Sequence, residues 1–197
     1  MIPKREIRAT FNKTTITVYQ AFSKEIALPA LKNNQLVPPF SYKRMTWIKP
    51  SFLWLMQRSN WATKPNQEYI LAIKIKRDCW EEALAQGVLT HPDAKIYSSG
   101  TAWHQLFKNA PVHIQWDPER TLYGTKKEES TIQVGISASL IKQYAEEWIV
   151  EINDFTPLAK KINTLRKQGK YKEAKRLLPI EKPYPLPDAI KTTLGIH

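Results

Sequence analysis

The sequence predicts an α+β fold, a single domain with a small mixed or antiparallel sheet flanked by helices. Short segments with strand periodicity and segments with helical periodicity are intermixed, without the regular alternation of a doubly wound parallel sheet. The chain has 197 residues and a hydrophobic fraction of 42%, which suit one domain with a real core. We therefore expect residues 1–197 to form one domain, ending in a basic helical hairpin at 155–180 and an extended proline-rich tail at 181–197.

Apolar periodicity and helix-boundary residues define the predicted elements of the N-terminal half. Helical spacing from Val18 onward supports a first helix, the fixed backbone angle of Pro50 favours the first turn of a second, and Gly87 ends a third. The predicted elements are a strand at 5–11, a helix at 15–32, a strand at 44–49, a helix at 51–58, a strand at 69–76 and a helix at 78–86.

The C-terminal half is predicted from the same signals. Thr156 and Pro157 combine a helix cap with a proline in the first turn, and Gly169 ends the helix that they begin. The predicted elements are a loop at 90–101, a strand at 111–116, a polar loop at 121–130, a strand at 131–136, and helices at 137–149, 156–168 and 170–178.

Cations strongly outnumber carboxylates in this chain. Thirty Lys and Arg against 18 Asp and Glu give a net charge of +12. This balance favours a nucleotide or nucleic acid as partner, because cations that neutralise phosphates release counterions, while a charge that serves solubility alone is the alternative. A single cysteine, Cys79, excludes an internal disulfide. Without a membrane-length apolar run or an apolar leader, we expect a cytoplasmic protein with no membrane partner.

The segment RMTWIKPSFLWLMQRSNW, residues 44–61, concentrates cations and aromatic rings around a predicted strand–helix junction. Trp54 and Arg58 are four positions apart on one helix face, and Ser51 lies where the free N–H groups of a helix N-terminus favour a phosphate. These features indicate a nucleotide pocket, although a core strand and helix with charged edges would give the same pattern. The candidate cofactor-binding residues of this region and the preceding segment are Tyr19, Gln20, Arg44, Trp47, Lys49, Ser51, Trp54 and Arg58.

A second polar cluster, QWDPER at residues 115–120, follows a predicted strand. A carboxylate at such a strand end can orient a ribose hydroxyl or act as a base, and an Asp-Pro turn with a surface ion pair is the alternative. The glycine motifs of P-loop and Rossmann sites are absent. The histidines lack the spacing of metal ligands, so no metal is expected. The catalytic candidates are Gln115 and Glu119, together with Thr46 on the central strand.

The predicted helical hairpin is dense in lysine and arginine. Because such cations meet phosphates rather than base edges, they would position a nucleic acid without recognising its sequence. A solvated basic face is the alternative. The candidate contacts are Lys160, Lys161, Arg166, Lys167, Lys172, Lys175 and Arg176.

Five segments in this order resemble the uncharacterised family known as the domain of unknown function 4291. They are IRATFNKTTITVYQAFSKEIA, RMTWIKPSFLWLMQRSNWATK, QWDPER, TIQVGI and LLPIEKPYPLP. The resemblance extends from Arg8 to about Pro187. It implies one domain over that span, and the family name carries no activity.

A second resemblance, at the level of the fold, is to ADP-ribosyltransferases. It implies that Arg8 on a first strand binds the phosphates of NAD, Thr46 on a second strand shapes the pocket, and Glu119 holds the nicotinamide ribose. The chain has neither a Ser-Thr-Ser run nor a Glu-x-Glu pair. We expect an ADP-ribosyltransferase-like enzyme that binds NAD in a basic, aromatic-lined cleft and modifies nucleic acid, or alternatively a non-enzymatic nucleic-acid-binding module. The enzyme hypothesis requires Arg8, Arg44, Lys49 and Glu119 to converge on one cleft.

Overall fold

The computed structural model describes residues 4–196, and its nine strands form two main sheets and one small pair. Residues 1–3 and 197 of the predicted domain lie outside the described part. The strands are β1 (Arg8–Ala9), β2 (Thr15–Phe22), β3 (Thr46–Ile48), β4 (Tyr69–Lys76), β5 (Gly87–Leu89), β6 (Val112–Arg120), β7 (Lys126–Ile136), β8 (Ile149–Asp154) and β9 (Lys182–Pro183).

The helices lie between and after these strands, which confirms the predicted α+β class. None of the helices in residues 4–196 combines the length and the apolar character that crossing a membrane requires. The helices are α1 (Lys24–Asn33), α2 (Phe52–Ser59), α3 (Arg77–Ala85), α4 (Gly100–Asn109), α5 (Ile141–Gln143) with a π-helical turn (Tyr144–Trp148), α6 (Thr156–Lys167), α7 (Tyr171–Arg176) and α8 (Asp188–Leu194).

One main sheet is antiparallel and the other is mixed. The antiparallel sheet has the strand order β2-β4-β8. The mixed sheet has the order β3-β7-β6-β5, in which β5 pairs with β6 in parallel and the other pairs are antiparallel. The small pair joins β1 to β9, so that the C-terminal segment returns to the N-terminus.

A backbone bridge joins the edge strands of the two main sheets. The N–H of Tyr19 on β2 donates a hydrogen bond of 2.7 Å to the carbonyl of Lys49, just after β3. Beyond this bridge the end of β2 and the segment before β3 both line one cavity. The edge strands therefore separate there and leave a cleft between the sheets.

Two apolar clusters hold this arrangement together. The larger cluster packs both sheets against α3 and the π-helical turn, and it includes the fully buried Trp80 and Tyr144. The smaller cluster packs Phe52 and Leu55 of α2 against Ile162 of α6. Because each fully buried large apolar side chain contributes about 1.5–3 kcal/mol, the smaller cluster anchors α2 and the helical hairpin to the sheet.

The prediction of one helix over 15–32 is wrong in its first half. Residues 15–22 form strand β2, and the helix α1 begins only after Ser23. The strand has five consecutive buried residues, Ile16 to Gln20, because other elements cover both of its faces. A strand buried on both faces shows no alternation of apolar and polar residues, so its sequence lacks the usual strand signal.

The region 100–149 also departs from prediction in three places. Helix α4 occupies 100–109, where none was predicted. Strand β7 begins at Lys126, so the predicted polar loop is a tight turn between two long strands. The predicted helix at 137–149 ends at Trp148, where strand β8 begins at once and pairs with β4.

The prediction of an extended tail at 181–197 is wrong in part, because helix α8 occupies residues 188–194. Ile190 and Leu194 lie four positions apart and are both buried, and the indole N–H of Trp116 donates a hydrogen bond of 3.0 Å to the carbonyl of Leu194. These contacts with distant elements, rather than local preference, stabilise a helix of seven residues.

Candidate functional site

A cavity of about 760 Å³ opens between the two main sheets, beside α2. Eight of the twelve catalytic and cofactor candidates line it, from four separate parts of the chain. The eight are Gln20, Arg44, Thr46, Trp47, Lys49, Trp54, Arg58 and Gln115. We call this cavity the inter-sheet cleft.

Three cations of the cleft lack an ionic partner. Arg44 and Arg58 are exposed, whereas Lys49 is buried with 9% of its surface accessible. Within residues 4–196, no carboxylate oxygen lies within 4.0 Å of the charged nitrogens of these three side chains. The cleft therefore presents unpaired positive charge to any molecule that enters it.

Lys49 is the most unusual titratable group of the cleft. Its side-chain nitrogen donates a hydrogen bond of 3.0 Å to the carbonyl of Trp47 and lies 5.7 Å from the centroid of the Trp54 ring. The pKa of Lys49 is lowered from 10.5 to about 7, mainly by burial and in part by the nearby Arg58, while Asp117 opposes the shift. The amine is thus close to half-protonated at neutral pH, a state that occurs often at functional sites.

Two glutamines line the cleft on the β6–β7 side and both donate to one carboxylate. The amide nitrogen of Gln115 lies 3.1 Å and 3.2 Å from the two carboxylate oxygens of Asp117, and the amide nitrogen of Gln133 also donates to Asp117. The opposing pair Gln115 and Gln133 sits on adjacent strands. Asp117 therefore fixes both amides, and its negative charge opposes the lowering of the Lys49 pKa.

Gln20 connects the two sheets at the base of the cleft. Its amide nitrogen donates to the hydroxyl of Thr46 at 2.8 Å and to the carbonyl of Trp47 at 3.2 Å. Its amide oxygen accepts a hydrogen bond of 2.7 Å from the hydroxyl of Tyr144. Because Gln20 is buried and uses both ends of its amide, it positions Thr46 and Trp47 rather than facing a ligand freely.

The aromatic wall comes from the strand–helix junction. Trp47 and Trp54 are both half-buried and line the cleft. Trp54 and Arg58 lie one turn apart on α2 and reach the same cavity. An indole face next to a guanidinium is an arrangement on which a flat, charged ligand can stack.

Arg8 and Glu119 lie outside the inter-sheet cleft. They line a second pocket of about 220 Å³, together with Glu6, Lys127, Glu129 and Ser130. The strand β6 has an irregular register between Pro118 and Arg120, and the Glu119 carboxylate accepts a hydrogen bond of 2.6 Å from the N–H of Arg120. The structure thus brings Arg44 and Lys49 together, while Arg8 and Glu119 meet elsewhere.

Tyr19 and Ser51 serve the core and a helix end. Tyr19 is 1% exposed, its ring centroid lies 5.5 Å from that of Phe52, and burial raises its pKa. The hydroxyl of Ser51 accepts from the N–H of Trp54 at 3.1 Å, and the N–H of Phe52 donates to the Glu181 carboxylate at 2.8 Å. The side chain of Glu181 therefore occupies the helix terminus where we expected a ligand phosphate.

The helical hairpin keeps most of its cations in solvent. Arg166 is the exception, because it contacts Asn163 at 2.9 Å and stacks 5.2 Å from the centroid of the buried Trp61 ring. Arg166 therefore anchors α6 to the protein. The exposed cations are Lys160, Lys161, Lys167, Lys170, Lys172, Lys175 and Arg176.

Some cleft residues were missed by the sequence analysis. Gln133 had a detectable signal, since it is a polar residue inside the apolar segment TIQVGI. Phe40 and Gln67 come from irregular segments and carry no such signal. No three side chains of histidine, cysteine, aspartate or glutamate are grouped as metal ligands within residues 4–196.

Comparison with known proteins identifies a family whose description names no activity. A family model described as a domain of unknown function (DUF4291) matches residues 6–184, which is most of the chain. A search of curated proteins finds no match.

Proposed function

We propose that this chain, which belongs to the family described as a domain of unknown function (DUF4291), binds the phosphates of a nucleotide in the inter-sheet cleft. The nucleotide we propose is NAD, and the reaction is transfer of its ADP-ribosyl group. One observation carries the proposal: Arg44, Lys49 and Arg58 line one cavity and none has a carboxylate partner within the described residues. A pair of phosphates supplies the negative charge that this cavity lacks.

The size and the walls of the cleft suit a dinucleotide. Cavities that bind small molecules and cofactors have volumes of about 300–1,000 Å³, and the inter-sheet cleft measures about 760 Å³. In the proposal, the guanidinium groups of Arg44 and Arg58 bind phosphate oxygens. The indole of Trp54 supplies a face for a base or for the nicotinamide ring.

The proposed reaction needs a group that holds the nicotinamide ribose. The bond between the ribose C1′ atom and nicotinamide breaks, nicotinamide leaves as a neutral molecule, and the acceptor forms a bond to C1′ and loses a proton. Gln115 is at the edge of the cleft and can accept from or donate to a ribose hydroxyl. In the proposal, Asp117, which accepts a hydrogen bond from Gln115, offsets positive charge that develops on the ribose.

Nicotinamide release from NAD tests the proposed reaction, and matched variants show which of the two pockets carries it out. Chromatography would follow the release with and without an added RNA or DNA acceptor. We expect release by the wild type and its loss in Gln115→Ala, with Leu106→Ala, an exposed residue on α4, as the control. A loss in Glu119→Ala with full activity in Gln115→Ala would assign the reaction to the second pocket. Release no faster than in buffer would contradict the transferase proposal.

A second candidate function is non-enzymatic binding of nucleic acid through the helical hairpin. Residues 155–180 contain eight lysines and arginines and one carboxylate, Glu173. Six of the proposed contacts are exposed, and none of the six has an ion-pair partner in the described part of the chain. A phosphate backbone is the polyanion that matches such a surface. Binding that is steeply weakened by salt supports this function, and binding that ignores salt contradicts it.

A further inference from the structure

Two tyrosines with exposed rings meet at the edge of the helical hairpin. Tyr123 lies in the turn between β6 and β7 and is 62% exposed, and Tyr171 begins α7 and is 37% exposed. Their ring centroids are 4.5 Å apart with an angle of 51° between the planes. The tilted pair leaves part of each ring open to solvent, which is costly for aromatic surface unless something covers it.

Internal packing holds the pair in place. Leu122, next to Tyr123, is buried in the same apolar cluster as Ala174 of α7. The turn is closed by a hydrogen bond of 2.9 Å from the N–H of Thr121 to the carbonyl of Thr125. The two rings therefore project from rigid elements, and little conformational entropy is lost when a ligand stacks on them.

The pair lies within the densest positive charge of the chain. Lys175 is four positions after Tyr171 and shares its helix face. Lys170 and Lys172 are the sequence neighbours of Tyr171, and both are exposed. The one carboxylate of the hairpin, Glu173, is two positions away and points to a different side of the helix. Aromatic faces interleaved with unpaired cations are the surface on which single-stranded nucleic acids bind.

We propose that Tyr123 and Tyr171 form a stacking platform for the bases of a single-stranded nucleic acid whose phosphates contact the hairpin lysines. The proposal rests on the nucleic-acid-binding function and names its ligand class. A duplex buries the faces of its bases in its own stack, so only an unpaired strand can place a base on a tyrosine. The platform therefore adds a contribution specific to single strands to a charge contact that acts on both forms.

Fluorescence anisotropy with a labelled oligonucleotide and its duplex tests this proposal. We expect the wild type to bind the single strand more tightly than the duplex. Tyr123→Ala/Tyr171→Ala should weaken single-strand binding by about 5-fold or more and leave duplex binding unchanged. Tyr123→Leu/Tyr171→Leu retains apolar packing without an aromatic face and should have the same effect. This variant replaces the alanine variant in the test if the alanine variant is poorly folded. Leu106→Ala is the control, since it removes an exposed apolar side chain on α4.

A lysine variant distinguishes the contribution of base stacking from that of charge. Lys172→Ala/Lys175→Ala should weaken binding of both forms and reduce the single-strand salt slope by about 0.7 for each phosphate that the variant no longer neutralises. If the tyrosine variants bind both forms as the wild type does while the lysine variant binds weakly, the stacking platform is refuted and nucleic-acid binding stands. If the wild type binds neither form at low salt, both proposals are refuted.

Discussion

The side-chain nitrogen of Lys49 donates a hydrogen bond of 3.0 Å to the backbone carbonyl of Trp47, two residues earlier in the chain. A single neutral carbonyl compensates poorly for the hydration that a buried ammonium group loses. Burial is accordingly the main cause that lowers the pKa of Lys49 to about 7. A ligand that brings negative charge close to Lys49 would raise the pKa of its amine and so favour the protonated form. The charge of the cleft therefore favours an anionic ligand.

The pH dependence of stability should reveal the buried amine. Between pH 7 and 10.5 the folded protein holds fewer protons at Lys49 than the unfolded chain, so this residue makes stability rise with pH. Lys49→Met removes the titration while keeping the volume. We expect the stability advantage of Lys49→Met over the wild type to be largest below pH 7 and to shrink towards about pH 10. Urea unfolding of both proteins measures it, and parallel pH profiles would contradict the burial argument.

Ligand binding should also take up a proton. A phosphate near Lys49 raises the pKa of its amine, so above pH 7 the complex holds more protons than the free protein. Calorimetric titrations of NAD at about pH 8, in two buffers with different ionisation enthalpies, measure this uptake. The two apparent enthalpies should differ for the wild type. They should agree for Lys49→Met if that variant still binds, and equal enthalpies in the wild type would place the phosphates away from Lys49.

Glu181, whose side chain contacts the first turn of α2, should change stability with pH in the direction opposite to that of Lys49. The pKa of Glu181 is raised from 4.5 to about 8, mainly by burial and in part by Glu119, while the hydrogen bond from the N–H of Phe52 opposes the shift. The folded state then holds more protons than the unfolded state between these values, so stability from this residue falls as pH rises. Glu181→Gln keeps an acceptor for the N–H of Phe52 and should be more stable than the wild type near pH 8. Thermal unfolding at about pH 5 and 8 checks it; an advantage equal at both values would count against this assignment.

The link between the sheets depends on Gln20. Gln20→Leu should lower the free energy of unfolding by about 1–3 kcal/mol, because it leaves the buried hydroxyl of Tyr144 without an acceptor. Tyr144→Phe removes that hydroxyl. In the double variant the loss should be smaller than the sum of the single losses, and urea denaturation measures all three. Additive losses would show that the hydrogen bond contributes little.

Local signals explain what could be predicted from the sequence. Strand β4 has the predicted bounds 69–76, because its lysines and isoleucines alternate. Helix α2 begins one residue after the predicted start, at a serine cap before a clear apolar face. Helix α2 contributes Trp54, Leu55 and Arg58 to the lining of the inter-sheet cleft, and the segment before it contributes Arg44. This is why the segment 44–61 already indicated the cleft.

Long-range contacts explain what could not be predicted. Glu181 reaches the N–H of Phe52 from 129 residues away, and no pattern near Ser51 reveals it. The irregular register after Pro118 moves Glu119 to a different pocket from Gln115, although both lie on β6. The predicted convergence of Glu119 with Arg44 and Lys49 on one cleft is therefore wrong because of this strand irregularity, and Arg8 lines the second pocket with Glu119.

The central claim is that the inter-sheet cleft binds the phosphates of NAD, and calorimetric titration of NAD tests it most directly. We expect saturable binding by the wild type and at least about tenfold weaker binding by Arg44→Ala and by Arg58→Ala. Arg176→Ala, an exposed arginine of α7 outside the cleft, is the matched control and should bind as the wild type does. No saturable heat with the wild type, or equal weakening by Arg176→Ala, would contradict the account.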